Sequence, residues 1–436
     1  MADLQFAFYG DDFTGSVDVL LQLRRAGWTS RLFLGLPGPA ELRAAAEEVD
    51  AVGVAGVARS LPTGQIESEV RPVLEALRAL RPQIVQYKAC STADSSPTVG
   101  SLGRVIEIAR DVFGPATVPT LFAQPDFGRY TAFGHHFAAE EGQVYRLDRQ
   151  PTMSRHPVTP MRESDLALHL SLQTRLPVGS MHLPEYTDAP DLARKLAERT
   201  EAATVLDALT DVHIELVSQA VVVANSQSNA PQFVIGSGGF TRGLAAAISR
   251  GDASRTDSVD ELRADGPVLA VSGSQSPQTA RQVDHARRRG WTVLALPAHD
   301  DGPLKEHVIT ELSAGRSVVV TTGSPAASSD GGSLVETLSA RLSGVIEAAL
   351  REGGGSRVIV CGGDTSSHVL RQLGARSLSI AANPVGNVVL CRVASPAPWL
   401  DGTEMLLKGG QVGPADLFEL IRTLGSAPRP RVAPLT

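Results

Sequence analysis

Short runs rich in β-branched and aromatic residues alternate with stretches of helical periodicity along the first half of the chain: Phe6 to Tyr9, Ser30 to Leu34, Ala51 to Val57, Ile84 to Tyr87 and Thr120 to Ala123. Strands that run parallel need long crossovers, and helices supply them, so this alternation predicts a largely parallel α/β sheet. A second set of runs follows the polar stretch Ser249 to Gly266: Val268 to Val271, Val293 to Leu296, Ser317 to Thr321, Arg357 to Cys361 and Asn387 to Val393. At 436 residues the chain exceeds what one compact core holds. The reading is two α/β domains, residues 1–248 and 267–424, joined by a linker over 249–266 and followed by an extended, proline-bearing tail over 425–436. Met153 to Pro160, rich in Pro, His and Arg, reads as a loop.

Charge narrows the partners. A formal net charge of −7 argues against nonspecific nucleic-acid binding, which needs a basic face. Arg287, Arg288 and Arg289 form the one tight basic cluster, at a helix end where the dipole favours them. Cys90, Cys361 and Cys391 are too few and too far apart for a disulfide framework or a CxxC metal site. The N-terminus meets Asp3 and a strand pattern at once, and no apolar run reaches membrane length; these features predict a cytoplasmic protein without a signal peptide or membrane span.

The first βα turn carries paired carboxylates, Asp11 and Asp12, in Gly10-Asp11-Asp12-Phe13-Thr14-Gly15-Ser16. Open parallel sheets bind ligands at such turns. The glycine spacing is that of a phosphate-binding loop, but its lysine is missing and adjacent carboxylates repel phosphate. The segment therefore reads as a holder of hydroxyls or of a metal ion, with helix capping as the structural alternative.

Two more strand-to-helix turns stand out in the second half, Ser272-Gly273-Ser274-Gln275-Ser276 before a helical stretch Gln278 to Arg289, and Gly362-Gly363-Asp364-Thr365 before His368 to Leu373. Small residues there let backbone N–H groups approach an anion at a helix N-terminus, so both are candidates for nucleotide phosphates. Lys408-Gly409-Gly410 offers a third such turn. None fits the dinucleotide fingerprint, and Gly236-Ser237-Gly238-Gly239 fails it at Thr241, which disfavours nicotinamide and flavin.

In order along the chain, Asp11-Asp12-Phe13-Thr14-Gly15, Lys88-Ala89-Cys90-Ser91-Thr92-Ala93-Asp94-Ser95, Gly128-Arg129, Arg155-His156-Pro157-Val158-Thr159-Pro160-Met161, Gly236-Ser237-Gly238-Gly239, Ser272-Gly273-Ser274, Gly362-Gly363-Asp364-Thr365 and Lys408-Gly409-Gly410 resemble the four-carbon acid sugar kinase family. That resemblance implies an N-terminal domain that binds a sugar acid, a C-terminal domain that binds ATP with Mg²⁺, and phosphoryl transfer in a cleft between them. It also implies ATP contacts at Ser272, Gly273, Ser274, Gly362, Gly363, Asp364, Thr365, Gly409 and Gly410, and substrate contacts at Thr14, Lys88, Ser91, Asp94, Arg129 and Arg155. Members commonly carry Glu at the position of Asp364, and tetronate kinases carry an arginine in the segment that here reads Cys90 to Pro97. The form found here resembles the branch acting on 3-oxo acid sugars, 3-oxo-tetronate or 3-oxoisoapionate.

Within this reading Asp11 and Asp12 orient or deprotonate the accepting hydroxyl, Asp12 being the more direct contact, while Arg129, Lys88 and Arg155 are the cations available to the acid's carboxylate. His135 and His136 alternate across a strand and read as structural. The alternatives are a D-threonate or D-erythronate kinase, a non-catalytic sugar-acid sensor, and an aldolase or dehydratase; the last has no recognisable Schiff-base lysine or metal triad. Oligomeric state is left open, a homo-oligomer included.

Overall fold

The computed structural model describes residues 4–226, 230–249, 262, 266–322, 331–352 and 357–424. The chain divides into two compact units, Met1–Asp257 and Ser258–Thr436. Most of the expected linker and all of the expected tail lie outside the described residues; Ser249, expected to open the linker, instead ends a helix, Gly238–Ser249, and accepts a hydrogen bond from Trp28 Nε1.

In the first unit the strands are β1 (Phe6–Gly10), β2 (Ser30–Phe33), β3 (Ala51–Ala55), β4 (Ile84–Lys88), β5 (Val118–Leu121), β6 (Arg129–Ala132), β7 (His135–Glu140), β8 (Gln143–Arg146), β9 (Val178–Met181), β10 (Ala203–Leu206) and β11 (Gln232–Gly236). Eight of these form a sheet ordered β2-β3-β1-β4-β11-β5-β10-β9, parallel at every pairing. Its central strands are buried on both faces, which is why β1 and β3 read as unbroken apolar runs, and buried Gln86 within β4 is satisfied by hydrogen bonds to Gly236 O and Ser237 O. Tyr9 and Tyr87 stack across β1 and β4 with ring centroids 5.3 Å apart. The antiparallel ribbon β6-β7-β8 stands apart from this sheet.

The second unit contains β12 (Val268–Ser272), β13 (Thr292–Ala295), β14 (Val318–Thr321), β15 (Arg357–Cys361), β16 (Ser377–Val385), β17 (Val388–Ala394) and β18 (Glu404–Lys408). Their order is β13-β14-β12-β15-β18-β17-β16, parallel through β18 and antiparallel for the last two pairings. Arg357 and Glu404 face each other in register and form a buried ion pair at 2.7 Å, which penalises any slip of β18 along β15. The largely parallel expectation holds, with the antiparallel β16-β17 edge as its exception. The helix after β15 starts at Gly363 rather than at His368, so Asp364 and Thr365 lie in its first turn.

In each sheet the crossovers depart in opposite directions around the first strand of the unit. In the first unit β1 lies between β3 and β4; in the second β12 lies between β14 and β15. The crevice outside the strand ends at such a point is the ligand site of open α/β sheets. Asp11 and Asp12 follow the first of these strands, and Gly273 and Ser274 the second.

Candidate active sites

At the first crevice, neighbouring strand ends deliver opposite charges. β1 leads into Asp11 and Asp12, β3 leads through a short 3-10 turn into Arg59, and β4 ends on Lys88. Asp12 caps the helix Phe13–Arg25, its Oδ1 accepting the Gly15 N–H at 2.7 Å. Arg59 Nη1 donates to Asp12 Oδ2 and its Nη2 to Asp11 Oδ1, each at 2.6 Å. Both oxygens of Asp12 are therefore engaged, whereas Asp11 Oδ2 has no hydrogen-bond partner among the described residues.

Exposure separates the two aspartates further: the Asp11 side chain is 2% exposed and that of Asp12 29%. Burial raises the Asp11 carboxyl to about 6, the Arg59 cation pulling against it and the Asp12 charge adding to the rise. Capping, the structural alternative for the motif, thus describes Asp12, while Asp11 is the carboxylate tuned toward neutrality. A Cβ on Gly15 would stand 2.5 Å from Asp12 Oδ1 and 3.0 Å from Lys88 Nζ, so the absent side chain is what lets the helix start and the lysine share this corner. Lys88 emerges at the edge expected for it; it is buried, donates to Ala89 O at 3.1 Å and lies 4.0 Å from Asp18.

Arg59 escaped the sequence reading. The available signal was its place two residues past the run Ala51 to Val57, a cation at the same sheet edge as the aspartates.

Arg129, expected among the substrate contacts, begins β6. Its Nη1 donates to the carbonyls of Phe127 at 2.6 Å, Gly128 at 3.4 Å and Ala139 at 3.2 Å, while its Nε is buried without a partner. One nitrogen is anchored, and the buried Nε is left without an acceptor. The Cys90 thiol is within electrostatic reach of both Arg59 and Arg129, which brings the two arginines to one neighbourhood. Asp94 accepts a hydrogen bond from Thr159, which also contacts His156, so two segments far apart in sequence meet. Ser91 is buried and its carbonyl accepts from His136 Nε2 at 2.8 Å. Thr14 and Arg155 are exposed, and Arg155 makes no ion pair among the described residues.

His136 is buried between Thr131 and Ser91, and His169 is buried against Ser95 and Gln173. Burial lowers each imidazole to about 4. A group whose folded value is depressed stabilises above its unfolded value, near 6.5, and loses that contribution as pH falls toward 4. Asp11, with a raised folded value, works in the opposite direction between about 4 and 6. Two imidazoles outweigh one carboxylate, so the melting temperature should fall as pH drops from about 6.5 to 4. A melting series flat over that window would show that the imidazoles are not held neutral.

In the second unit the ends of β12, β15 and β18 stand side by side, Ser272 opposite Cys361 and Cys361 opposite Lys408. The glycine turns that follow them meet. A Cβ on Gly273 would come 2.6 Å from Thr365 Oγ1, and one on Gly410 would come 2.7 Å from Ser274 Oγ and 2.8 Å from Ser276 Cβ. Gly362 has φ +122°, a conformation L side chains rarely adopt. The helices Pro277–Arg288 and Gly363–Leu373 both begin here, their positive ends at the strand edge. The three turns predicted separately thus form one backbone-lined corner suited to an anion. Gly409 belongs to the same corner; the side chain of Asp364 lies outside the described part of the structure.

Residues 6–244 match the family profile described as a sugar-binding N-terminal domain, and residues 269–418 the profile described as a nucleotide-binding C-terminal domain. The 3-oxo-isoapionate kinase of Paraburkholderia graminis is 37% identical, over 97% of this chain and 94% of its own. A 3-oxo-tetronate kinase of Pseudomonas fluorescens is 29% identical, over 94% of each. The crystal structure of Haemophilus influenzae protein HI1011 superposes with a TM-score of 0.76 at 22% identity, covering 96% of this chain and 100% of that one, which establishes the shared fold.

Proposed function

The chain belongs to the four-carbon acid sugar kinase family, and from that premise we propose that it is a cytoplasmic, ATP-dependent kinase of a short 3-oxo acid sugar, with a branched acid such as 3-oxo-isoapionate as substrate. The observation that carries this reading is the 37% identity to a 3-oxo-isoapionate kinase through both domains. The work divides between the units: the first holds the acid and the second holds ATP.

In the first unit Asp11 is the group suited to accept a proton. Its oxygen without a partner would take the proton of the substrate hydroxyl as the hydroxyl oxygen attacks the γ-phosphorus and the bond from that phosphorus to the ADP oxygen breaks. Arg59 keeps both aspartates in place, and the Arg129 guanidinium, whose Nε has no partner, would receive the substrate carboxylate. Lys88 adds a second positive charge close to the reacting group. In the second unit the backbone of the three glycine turns would line the phosphates. Mg²⁺ would arrive on ATP and neutralise charge on the transferring group.

An ADP-release assay over a panel of 3-oxo and aldonic acids tests the reading, with a branched 3-oxo acid expected to give the highest kcat/KM. Acid binding by thermal shift, with no turnover of any acid, would make the protein a sensor instead. The division of labour is tested by Gly410→Val. The new side chain must displace Ser274 and Ser276, an overpacking that costs about 1 to 3 kcal/mol, and it fills the space the phosphates need. ATP affinity should drop by roughly tenfold or more, equivalent to 1.4 kcal/mol, with acid binding unchanged. Equal loss of both ligands in a folded variant would sink that division.

A further inference from the structure

Lys408 is a buried cation that pairs with no carboxylate among the described residues. It ends β18, is 2% exposed, and lies at the corner where the three glycine turns meet. Its Nζ donates to Thr279 Oγ1 at 3.0 Å and reaches Gly410 O at 3.4 Å, and no acidic side chain pairs with it among the described residues. Thr279 Oγ1 in turn contacts Ser274 Oγ at 3.3 Å and Gly410 O at 2.8 Å. One ammonium therefore holds the first and third turns together through neutral oxygens.

Burying an ammonium costs several kcal/mol, and neutral acceptors return only part of that. Leucine or methionine would fill the same place at lower cost. The retained charge has a use only if an anion comes close, and the surroundings favour an anion in two further ways. Two helices point their positive ends at this corner, and the turns between them are glycine and serine. Positive potential from three sources converges there, and the one acid of the three turns, Asp364, has its side chain outside the described part of the structure.

We propose that Lys408 is the counter-charge for the phosphate chain of the bound nucleotide, acting as a positioning residue through the Thr279 hydroxyl and the Gly410 peptide that it holds. This rests on the nucleotide reading of the C-terminal unit and adds to it a side-chain role that the backbone of the glycine turns does not supply. The phosphates would complete the electrostatics of a site that is strained toward positive charge without them.

The test is calorimetric titration of the full-length protein and of Lys408→Met with ATP, ADP and adenosine. Charge-assisted interactions of this kind correspond to a loss of roughly 10- to 100-fold in ATP affinity. ADP should lose less and adenosine less than about twofold, because adenosine carries no phosphate. The ligand-free melting temperature should hold or rise, since a buried unpaired charge has been replaced by an apolar chain. Thr279→Val, which removes the hydroxyl but keeps the shape, should show the same phosphate-graded pattern at smaller size and serves if the lysine variant fails to fold. Parallel loss of ATP and adenosine, or unchanged ATP affinity, overturns the proposal. Wild-type protein that binds none of the three ligands overturns the nucleotide reading instead, so the two failures are distinguishable.

Discussion

Asp11→Asn should lower turnover by about 100- to 10,000-fold, the usual cost of losing a general base, while leaving the protein at least as stable at pH 7.5. The amide oxygen can still accept from Arg59, so the clamp on the helix start survives. The charge is what disappears, and that charge is expensive. Asp11 has a raised folded value of about 6, so between about pH 4 and 6 the folded state binds more protons than the unfolded one. Stability therefore falls as pH rises through that window, and above it the ionised carboxylate costs on the order of 3 kcal/mol. Removing the ionisable group lifts the penalty but leaves Arg59 with one acidic partner, so the two changes partly offset. The same value sets the acid limb of the rate: wild-type turnover should decline below about pH 6 as Asp11 takes up its proton. Turnover within a few-fold of wild type, or an acid limb unmoved by the substitution, would remove Asp11 from the mechanism. Asp12→Asn gives the contrasting result, because asparagine caps helices about as well as aspartate.

The proposal of Asp11 rather than Asp12 as the proton acceptor rests on features that local sequence does not carry. Their position at a strand end was legible, because Phe6 to Tyr9 is an apolar run and Phe13 starts a helical pattern. Lys88 was legible for the same reason, as the residue ending the run from Ile84. What distinguishes the two carboxylates is burial and the Gly15 N–H that occupies the second Asp12 oxygen, while the cation they share, Arg59, arrives from β3, which becomes the neighbour of β1 only in the folded sheet. Local sequence does not contain that pairing.

Three of the strands absent from the sequence reading have equally specific causes. β6 and β7 are largely half-buried in a ribbon outside the main sheet, so Arg129-Tyr130-Thr131-Ala132 lacks an apolar run. β18 carries Glu404 and Lys408 in a fully paired strand, and charged ends on a buried strand argue against strand in any composition-based reading. Both charges are explained by tertiary partners, Glu404 by Arg357 and Lys408 by the turns it holds. The glycine turns were each legible, but their convergence follows from β12, β15 and β18 standing side by side.

Arg59→Met should destabilise the protein by about 3 kcal/mol at pH 8 and by much less at pH 5, and this pH dependence is the decisive part of the prediction. Breaking a buried pair by removing the cation leaves Asp11 as an uncompensated charge with the Asp12 carboxylate beside it. Because the Arg59 cation is the largest influence lowering the Asp11 value, its loss moves that value further above 6. The sign follows directly: a carboxyl raised more strongly in the folded state loses stability over a wider span as pH rises from about 4. At pH 5 Asp11 is mostly protonated with or without the arginine, so the charge it would have neutralised is absent from both proteins. Methionine keeps much of the aliphatic packing, so a purely steric role for Arg59 predicts a deficit that is the same at both pH values. Melting curves of both proteins at pH 5 and pH 8 separate the cases, and a pH-independent gap would refute the clamp. Turnover adds an independent readout, since the acid limb of the rate should move to higher pH by more than about one unit as Asp11 holds its proton more tightly. A variant whose melting gap widens with pH while its acid limb stays in place would show that Arg59 stabilises Asp11 but that another group accepts the proton.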